Sequence, residues 1–396
     1  MDADVAVVGV GTMGSMTCWQ LARRGASVIG FEQFAPGHDR SGAGGETRIF
    51  RTAYHEGAEY VPLLLTARDQ WRKLEAETGR SVLTLNGGLM IGPADGDLVR
   101  SVLASATAHD LPHELLDGRE AKSRYPQHRL QPGEVMVLDP QAGFLRPELA
   151  VSLAGLRAEE LGARIVRHRP VTAVEPDADG VTIVTAERRW RVGQVVLAAG
   201  AWSNRLLPRH TPPLTVQRLV MTWFVARHPS RFTPERFPIF IRETGIHDIS
   251  GWPSLDGAYV KVAINYGYDR VDDPDRLERS VDDGLLVTIR MAVEDLLPEL
   301  VPEPVRIGAY MDGYTSDRHA AVGRPAGLPN TVIATGFSGH GFKMSPAIGL
   351  AAADLVLDGR TDLPVGHLDP ARLAGASPAR HRTVAADLAA MTPSSP

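Results

Sequence analysis

Val7-Val8-Gly9-Val10-Gly11-Thr12-Met13-Gly14 is the stretch on which the fold turns. It continues the apolar run Asp4-Val5-Ala6-Val7-Val8, which reads as a buried parallel strand, and opens a helix expected over residues 13–24. Residues 27–31, Ser-Val-Ile-Gly-Phe, make a second expected strand with Glu32 at its end, completing a βαβ unit. In this Gly-x-Gly-x-x-Gly turn, Gly9 permits the tight bend, Gly11 lets the backbone approach a pyrophosphate, and Gly14 allows close helix–strand packing. The helix N-terminus then offers free N–H groups to phosphate. Glu32 stands 23 residues past Gly9, where a carboxylate accepts from ribose hydroxyls and repels a 2′-phosphate. The reading is a dinucleotide site; this motif alone does not separate FAD from NAD.

Outward from the turn, 396 residues are long for one core, so two domains are expected. A formal net charge of −5 leaves no basic footprint for nucleic acid. One cysteine, Cys18, excludes an internal disulfide and a cysteine-rich zinc site. Asp2 and Asp4 stand where a secretory leader would carry basic residues, and no apolar run approaches the roughly 18 residues that span a bilayer. The expectation is a cytoplasmic protein with no membrane partner and no metal. His109 and His113 have the spacing of a helical metal pair, but Pro112 between them argues against the helix.

Residues 33–58 hold six glycines and prolines and read as a long loop. Helices are expected near 59–77 and 147–161, the second with Leu149, Leu153 and Leu156 inward and Gly162 after it. Residues 171–175, 181–186 and 190–192 read as short alternating strands, followed by a separate buried strand at 195–200 that ends in glycine. Further strands are expected at 216–225, 238–241 and 258–264, and a mobile tail at the C-terminus. Asp248, in a turn-like segment, reads as solvated.

A second glycine-rich segment, Gly336-Phe337-Ser338-Gly339-His340-Gly341-Phe342-Lys343, lies about three hundred residues beyond the first. With it belong Gly44-Gly45-Glu46-Thr47-Arg48-Ile49-Phe50-Arg51 and the strand at 195–200 followed by Ala201-Trp202-Ser203. In order and spacing these segments resemble the sarcosine oxidase and N-methyltryptophan oxidase family of the D-amino-acid-oxidase-like flavoproteins. The resemblance covers nearly the whole chain and is loosest at residues 85–140 and in the tail. It implies an α/β fold, α+β overall. A Rossmann-like FAD-binding domain (1–84, 141–215 and 318–372) is interleaved with a substrate domain on a mainly antiparallel sheet (85–140 and 216–317), ahead of a tail at 373–396.

The chemistry implied is oxidation of a secondary or N-substituted amino acid: hydride transfer to flavin N5, imine hydrolysis, and reoxidation by O2 to give peroxide, in a protein expected to be monomeric. The resemblance implies cofactor contacts from Gly9, Gly11, Thr12, Met13 and Gly14, from Glu32 and Gln33, and from Arg40, Ser41, Thr47 and Arg48. It adds Val171, Ala199, Gly200 and Trp202, then Gly336, Gly339, His340, Gly341, Phe342 and Lys343. Arg51 and Lys343 match a clamp for the substrate carboxylate, a planar fork and a point charge. Arg48 and Lys261 match cations that assist oxygen, Lys261 sitting in the apolar run Tyr259-Val260-Lys261-Val262-Ala263. His340 is read as a flavin contact. The pocket is expected from Arg51, Ile241, Ser250, Asn265, Asp312 and Lys343.

Departures matter as well. The family's flavin-tethering cysteine falls at Tyr310, or at Asp312 with a short deletion, so FAD is expected to be non-covalent. Ser250 and Asn265 replace an aromatic and a histidine, which points to a substrate larger than sarcosine, N-alkyl or N-carboxymethyl, in specialised metabolism. Three rivals share parts of the pattern: an NAD(P) reductase, a dehydrogenase with another acceptor, and a flavin-binding subunit without activity. A serine hydrolase is disfavoured because the fifth residue of Gly336-x-Ser338-x is His340.

Overall fold

The computed structural model describes residues 1–207, 213–245, 247–265 and 269–376. Its first sheet has eight strands, and five of them form the parallel core. Ala3–Val8 lies between Val28–Phe31 and Arg189–Leu197; Arg164–Val166 flanks the former and Thr331–Thr335 the latter. Val28–Phe31 is buried at every position, as an apolar run covered on both faces must be. Helix Thr12–Arg23 returns from the first strand, and Ser345–Leu357 packs against it so closely that a Cβ on Gly349 would lie 2.6 Å from the Met16 backbone.

The second sheet, also eight-stranded, runs Leu300–Tyr314, Thr215–Ala226, Tyr259–Ile264, Ile249–Trp252, Ile239–Arg242, Gly88–Pro93, Glu134–Asp139 and Glu114–Leu116. It is antiparallel except where Ile239–Arg242 pairs with Gly88–Pro93. The chain therefore leaves the first sheet and returns to it twice.

Three local expectations are corrected. The strands read at 190–192 and 195–200 are one strand, Arg189–Leu197, whose start pairs antiparallel with Gly180–Thr185 and whose end pairs parallel with Ala3–Val8. Gly193 does not break it: a Cβ there would come within 2.8 Å of the Asp4 carbonyl, so the glycine serves close strand approach. In helix Pro147–Glu160 the fully buried face is Ala150, Val151, Ala154 and Ala158; Leu149 and Leu153 are partly buried and pack against the same core, while Leu156 is 52% exposed. Small side chains at the centre let this helix lie close to its neighbours, so the inward leucines sit at its flank. The loop at 33–58 contains a short strand, Arg48–Phe50, paired with Gly143–Leu145. Most of the expected tail, residues 377–396, lies outside the described residues.

Candidate active site

A cavity of about 1000 Å³ lies between the two sheets, at the carboxyl ends of the parallel strands. At one end is the first glycine turn. Gly9 has φ +86°, and a Cβ on Gly14 would sit 1.7 Å from the Gly9 carbonyl oxygen, so strand and helix meet as the motif requires. A Cβ on Gly11 would meet nothing within 4 Å: that side of the turn is open cavity. Helix Thr12–Arg23 starts there with no side-chain cap and no acid in its first turn, so its free N–H groups face the space. Glu32 accepts from the Val10 and Phe34 N–H groups at 2.9 and 3.0 Å. Burial would raise its pKa, but His38 and these backbone bonds hold it below the usual value. This donor-lined cradle with an ionised acid beside it fits the pyrophosphate and ribose of FAD.

At the other end, two loops about 290 residues apart in sequence meet. Arg51 is 2% exposed. Its Nη2 donates to both oxygens of Glu56 at 2.7 and 2.6 Å, and its guanidinium covers the Tyr54 ring at 4.3 Å. Its Nε and Nη1 are buried without a partner. Burial works against the Glu56 charge, yet Arg51, with help from His55, His340 and Lys343, holds it well below the carboxylate range. Lys343 Nζ donates to the His340 carbonyl at 2.7 Å and to Tyr54 Oη at 3.3 Å. Burial and then Arg51 bring its pKa down to about 7. Trp71 fixes this turn by donating to the Lys343 carbonyl at 2.9 Å and stacking on Phe342. His340 pairs through Nδ1 with Tyr54 Oη at 2.8 Å and through Nε2 with the Arg318 carbonyl at 2.9 Å. A carbonyl only accepts, so Nε2 carries the hydrogen and Nδ1 accepts from tyrosine.

Among the residues expected from sequence, the first turn (except Gly14), Glu32, Gln33, Ser41, Arg48, Arg51 and Val171 all line the cavity. So do Ala199, Gly200, Trp202, the named residues of 336–343, and Ile241, Ser250, Asn265 and Asp312. Gly14, Arg40, Thr47 and Lys261 are not in its wall. Gly14 acts in packing, and Arg40 covers the Phe34 ring at 4.7 Å. Lys261 is buried one layer back, its Nζ donating to the Gly45 and Thr47 carbonyls and Thr47 Oγ1 at 2.8, 2.8 and 2.9 Å and lying 3.9 Å over the Trp252 ring. Burial, then Arg48, lowers its pKa well below that of a free lysine. Arg48 itself donates to the Thr47, Gly42 and Gly44 carbonyls.

Asp312 takes the wall position that sequence left open between two residues; Tyr310 instead packs against Gly44, where a Cβ would lie 2.4 Å from its ring. The Asp312 carboxylate accepts from Gly313 and Gly339 N–H at 2.8 and 2.9 Å; burial nevertheless raises its pKa. Asp248 is not simply solvated: it lines the cavity, and Oδ1 accepts from Thr244 and Gly245 N–H. Glu243 stands on the same wall with its pKa raised by burial and by Asp248. Ser250 Oγ donates to Asn265 Oδ1 at 2.9 Å. Sequence reading missed Tyr54, His55, Glu56, Glu243 and His319. The one available signal was a histidine and a glutamate inside a long loop, four and five residues past Arg51.

Residues 4–355 match the family model described as FAD dependent oxidoreductase. The chain is 40% identical over 379 residues to a monomeric sarcosine oxidase of Streptomyces avermitilis, covering 94% of this chain and 98% of that protein. It is 30% identical to an N-methyl-L-tryptophan oxidase of Yersinia pestis, over 94% of this chain and all of the relative. Among solved structures, a variant of NikD, titled an unusual amino acid oxidase essential for nikkomycin biosynthesis, superposes with a TM-score of 0.83 at 25% identity. It covers 93% of this chain and 97% of that one. With the cradle and the cation pair in place on the matching fold, the chain belongs to the FAD-dependent oxidoreductase family and is an FAD enzyme acting on amino acids.

Proposed function

We propose that this protein oxidises a secondary or N-substituted amino acid with O2 as acceptor. The observation that carries the reading is Arg51: a buried guanidinium facing the cavity with two nitrogens unpartnered and Lys343 nearby. An unpaired buried donor of this kind is costly, and a substrate carboxylate satisfies it. Bound FAD supplies the two-electron acceptor for the C–H bond beside the amine. The chain supplies the rest: Gly11 and the Thr12–Arg23 N-terminus hold the pyrophosphate, Glu32 the ribose, and Arg51 with Lys343 orient the substrate by its acid group. Glu56 occupies Arg51 until that carboxylate arrives. Names of relatives, sarcosine oxidase and N-methyl-L-tryptophan oxidase, support the substrate class. Glu243 and Asp248 on the pocket wall favour an N-alkyl over an N-carboxymethyl substrate, because a second carboxylate would meet like charge.

Attachment of FAD is read as non-covalent. Cys18 is buried in the Thr12–Arg23 helix against Gly30, and burial pushes its thiol up to about 12, far from a nucleophile. Acid precipitation should leave all yellow colour in the supernatant; flavin retained on the polypeptide would overturn this reading. The two-domain division at the boundaries expected from sequence is supported by sheet membership, since 88–139 and 215–314 contribute to the second sheet. Lys261 is assigned to oxygen reduction through its charge and through the Gly45–Thr47 carbonyls it pins beside Arg48. A monomer in the cytoplasm completes the reading; no described helix is long and apolar enough to cross a membrane. The decisive experiment is anaerobic mixing with N-methyl amino acids followed by oxygen. Bleaching of the flavin and rapid recovery with peroxide release are expected. Bleaching without recovery in oxygen would make it a dehydrogenase, and no bleaching by any such amine would remove the amine reading.

A further inference from the structure

His55 lies in the clamp loop between Tyr54 and Glu56 and lines the cavity, a quarter of its side chain accessible. Its ring stacks on Tyr54 at 6.4 Å and 29°. Nδ1 is buried, has no hydrogen-bond partner, and faces Glu56 Oε2 at 3.5 Å. A carboxylate on that side favours the tautomer with hydrogen on Nδ1, which leaves the lone pair on Nε2. Of the other polar groups close to the clamp, Glu56 holds Arg51, both His340 nitrogens are bonded, and Asn265 Oδ1 accepts from Ser250; Glu243 stands on the same cavity wall.

We propose that Nε2 of His55 accepts the N–H of the substrate's secondary amine, beside the carboxylate held by Arg51 and Lys343. The assignment rests on the amino acid reading of the pocket and names a residue that selects secondary over tertiary amines. An α-amine is one carbon from the carboxyl carbon, so an acceptor flanking the clamp is within its reach. As the α C–H bond breaks and its electron pair leaves to FAD, the nitrogen lone pair forms the C=N bond and nitrogen becomes positive. The N–H stays on nitrogen throughout, but it changes from a weak donor to a strong one. A fixed neutral acceptor therefore binds the transition state better than the ground state. Burial, and after it Arg51, push the His55 pKa down to about 3, with Lys343 and His340 adding to the fall and Glu56 opposing it. The ring stays an acceptor at working pH instead of competing with the amine for a proton.

The test uses the FAD-loaded enzyme and two ligands that differ in one group, pyrrole-2-carboxylate (N–H) and 2-furoate (ring O), with Kd read calorimetrically and from the flavin spectrum. Wild type should bind the pyrrole about threefold to tenfold more tightly, the worth of one hydrogen bond. His55→Ala should bring the two affinities together by weakening the pyrrole alone, and His55→Gln, which keeps an acceptor, should restore part of the preference. Equal affinities in wild type, or a preference that survives in His55→Ala, would overturn the proposal. Loss of both ligands in both variants would do the same, by making His55 a support of the fold. If wild type binds neither carboxylate while still holding FAD, the clamp reading itself fails and this proposal falls with it, an outcome distinct from loss of the preference alone.

Discussion

Two arginines are almost wholly buried, Arg242 at 0% and Arg51 at 2% exposure, and each faces a glutamate. Arg242, fully inaccessible, donates through Nε and Nη2 to Glu134, through Nη2 to the Arg129 carbonyl at 2.7 Å, and through Nη1 to the Leu296 carbonyl at 3.5 Å. Arg51 bonds through Nη2 alone and leaves Nε and Nη1 without partners. A buried guanidinium with every group matched is a structural element. One with donors in reserve and a place in the cavity wall has groups left for a ligand to pair. In their immediate neighbours the two positions look alike, each an arginine that follows an apolar residue and precedes a polar one. Apart from the resemblance that singles out Arg51, their difference lies in what the fold brings to them.

The sharpest way to break this comparison is to discharge each pair. Glu134→Gln strands Arg242 and should cost about 3–5 kcal/mol of stability, seen as a lower denaturant midpoint, with carboxylate affinity of the folded protein unchanged. A shift in ligand Kd instead would make Arg242 part of the site. Lys261 tests a third buried cation, saturated like Arg242 yet one layer from the cavity. Lys261→Met should slow reoxidation by oxygen about a hundredfold, the scale of losing one charge-stabilising group, while reduction by amine stays within a fewfold. Lower Tm with normal reoxidation would class it with Arg242.

Arg51→Lys keeps a cation opposite Glu56 and loses the fork. Affinity for a carboxylate ligand should fall at least tenfold, about 1.5–3 kcal/mol, with Tm nearly unchanged; titration with 2-furoate measures it. The smallest effect is in pH. With the Lys343 pKa brought down to about 7, its charge is complete below that pH and lost as pH rises through it. Affinity for 2-furoate, which has no amine to titrate, should therefore decline above about pH 7 and take up a proton on binding. Lys343→Met should flatten that profile, and a profile of unchanged slope would place the titration elsewhere.

The first glycine turn was legible because its chemistry is local: φ at Gly9, close approach at Gly14 and the carboxylate of Glu32 follow from a few adjacent residues. The clamp was legible only through resemblance, since Arg51 and Lys343 converge across some 290 residues. Tyr54 and His55 were not legible, because each acquires its role from the 340s loop or the cavity, neither of which spacing reveals. Asp248 was misread because a residue in a turn-like segment looks solvated in sequence, whereas the fold sets it in the cavity wall. Of the leucines expected inward in Pro147–Glu160, Leu149 and Leu153 reach the core and Leu156 does not, because hydrophobic spacing reports a face but not the distance at which the neighbouring helix lies.

The order of the parallel strands has a consequence for synthesis in the cell. Ala3–Val8 gains Val28–Phe31 almost at once, but its other neighbour, Arg189–Leu197, is made only midway through synthesis, and the strand beyond it, Thr331–Thr335, is the last strand made among the described residues. At ribosomal rates of about 5–20 residues per second, the open side of Ala3–Val8 waits roughly 10–40 s for Arg189–Leu197, and the sheet edge then stays open until Thr331–Thr335 is made. Throughout that interval the emerging polypeptide exposes an apolar, unpaired β-edge, the surface on which nascent chains aggregate. Slower growth and abundant chaperones should therefore raise soluble yield more than any change to the finished molecule, because the hazard exists only before the last strand is made.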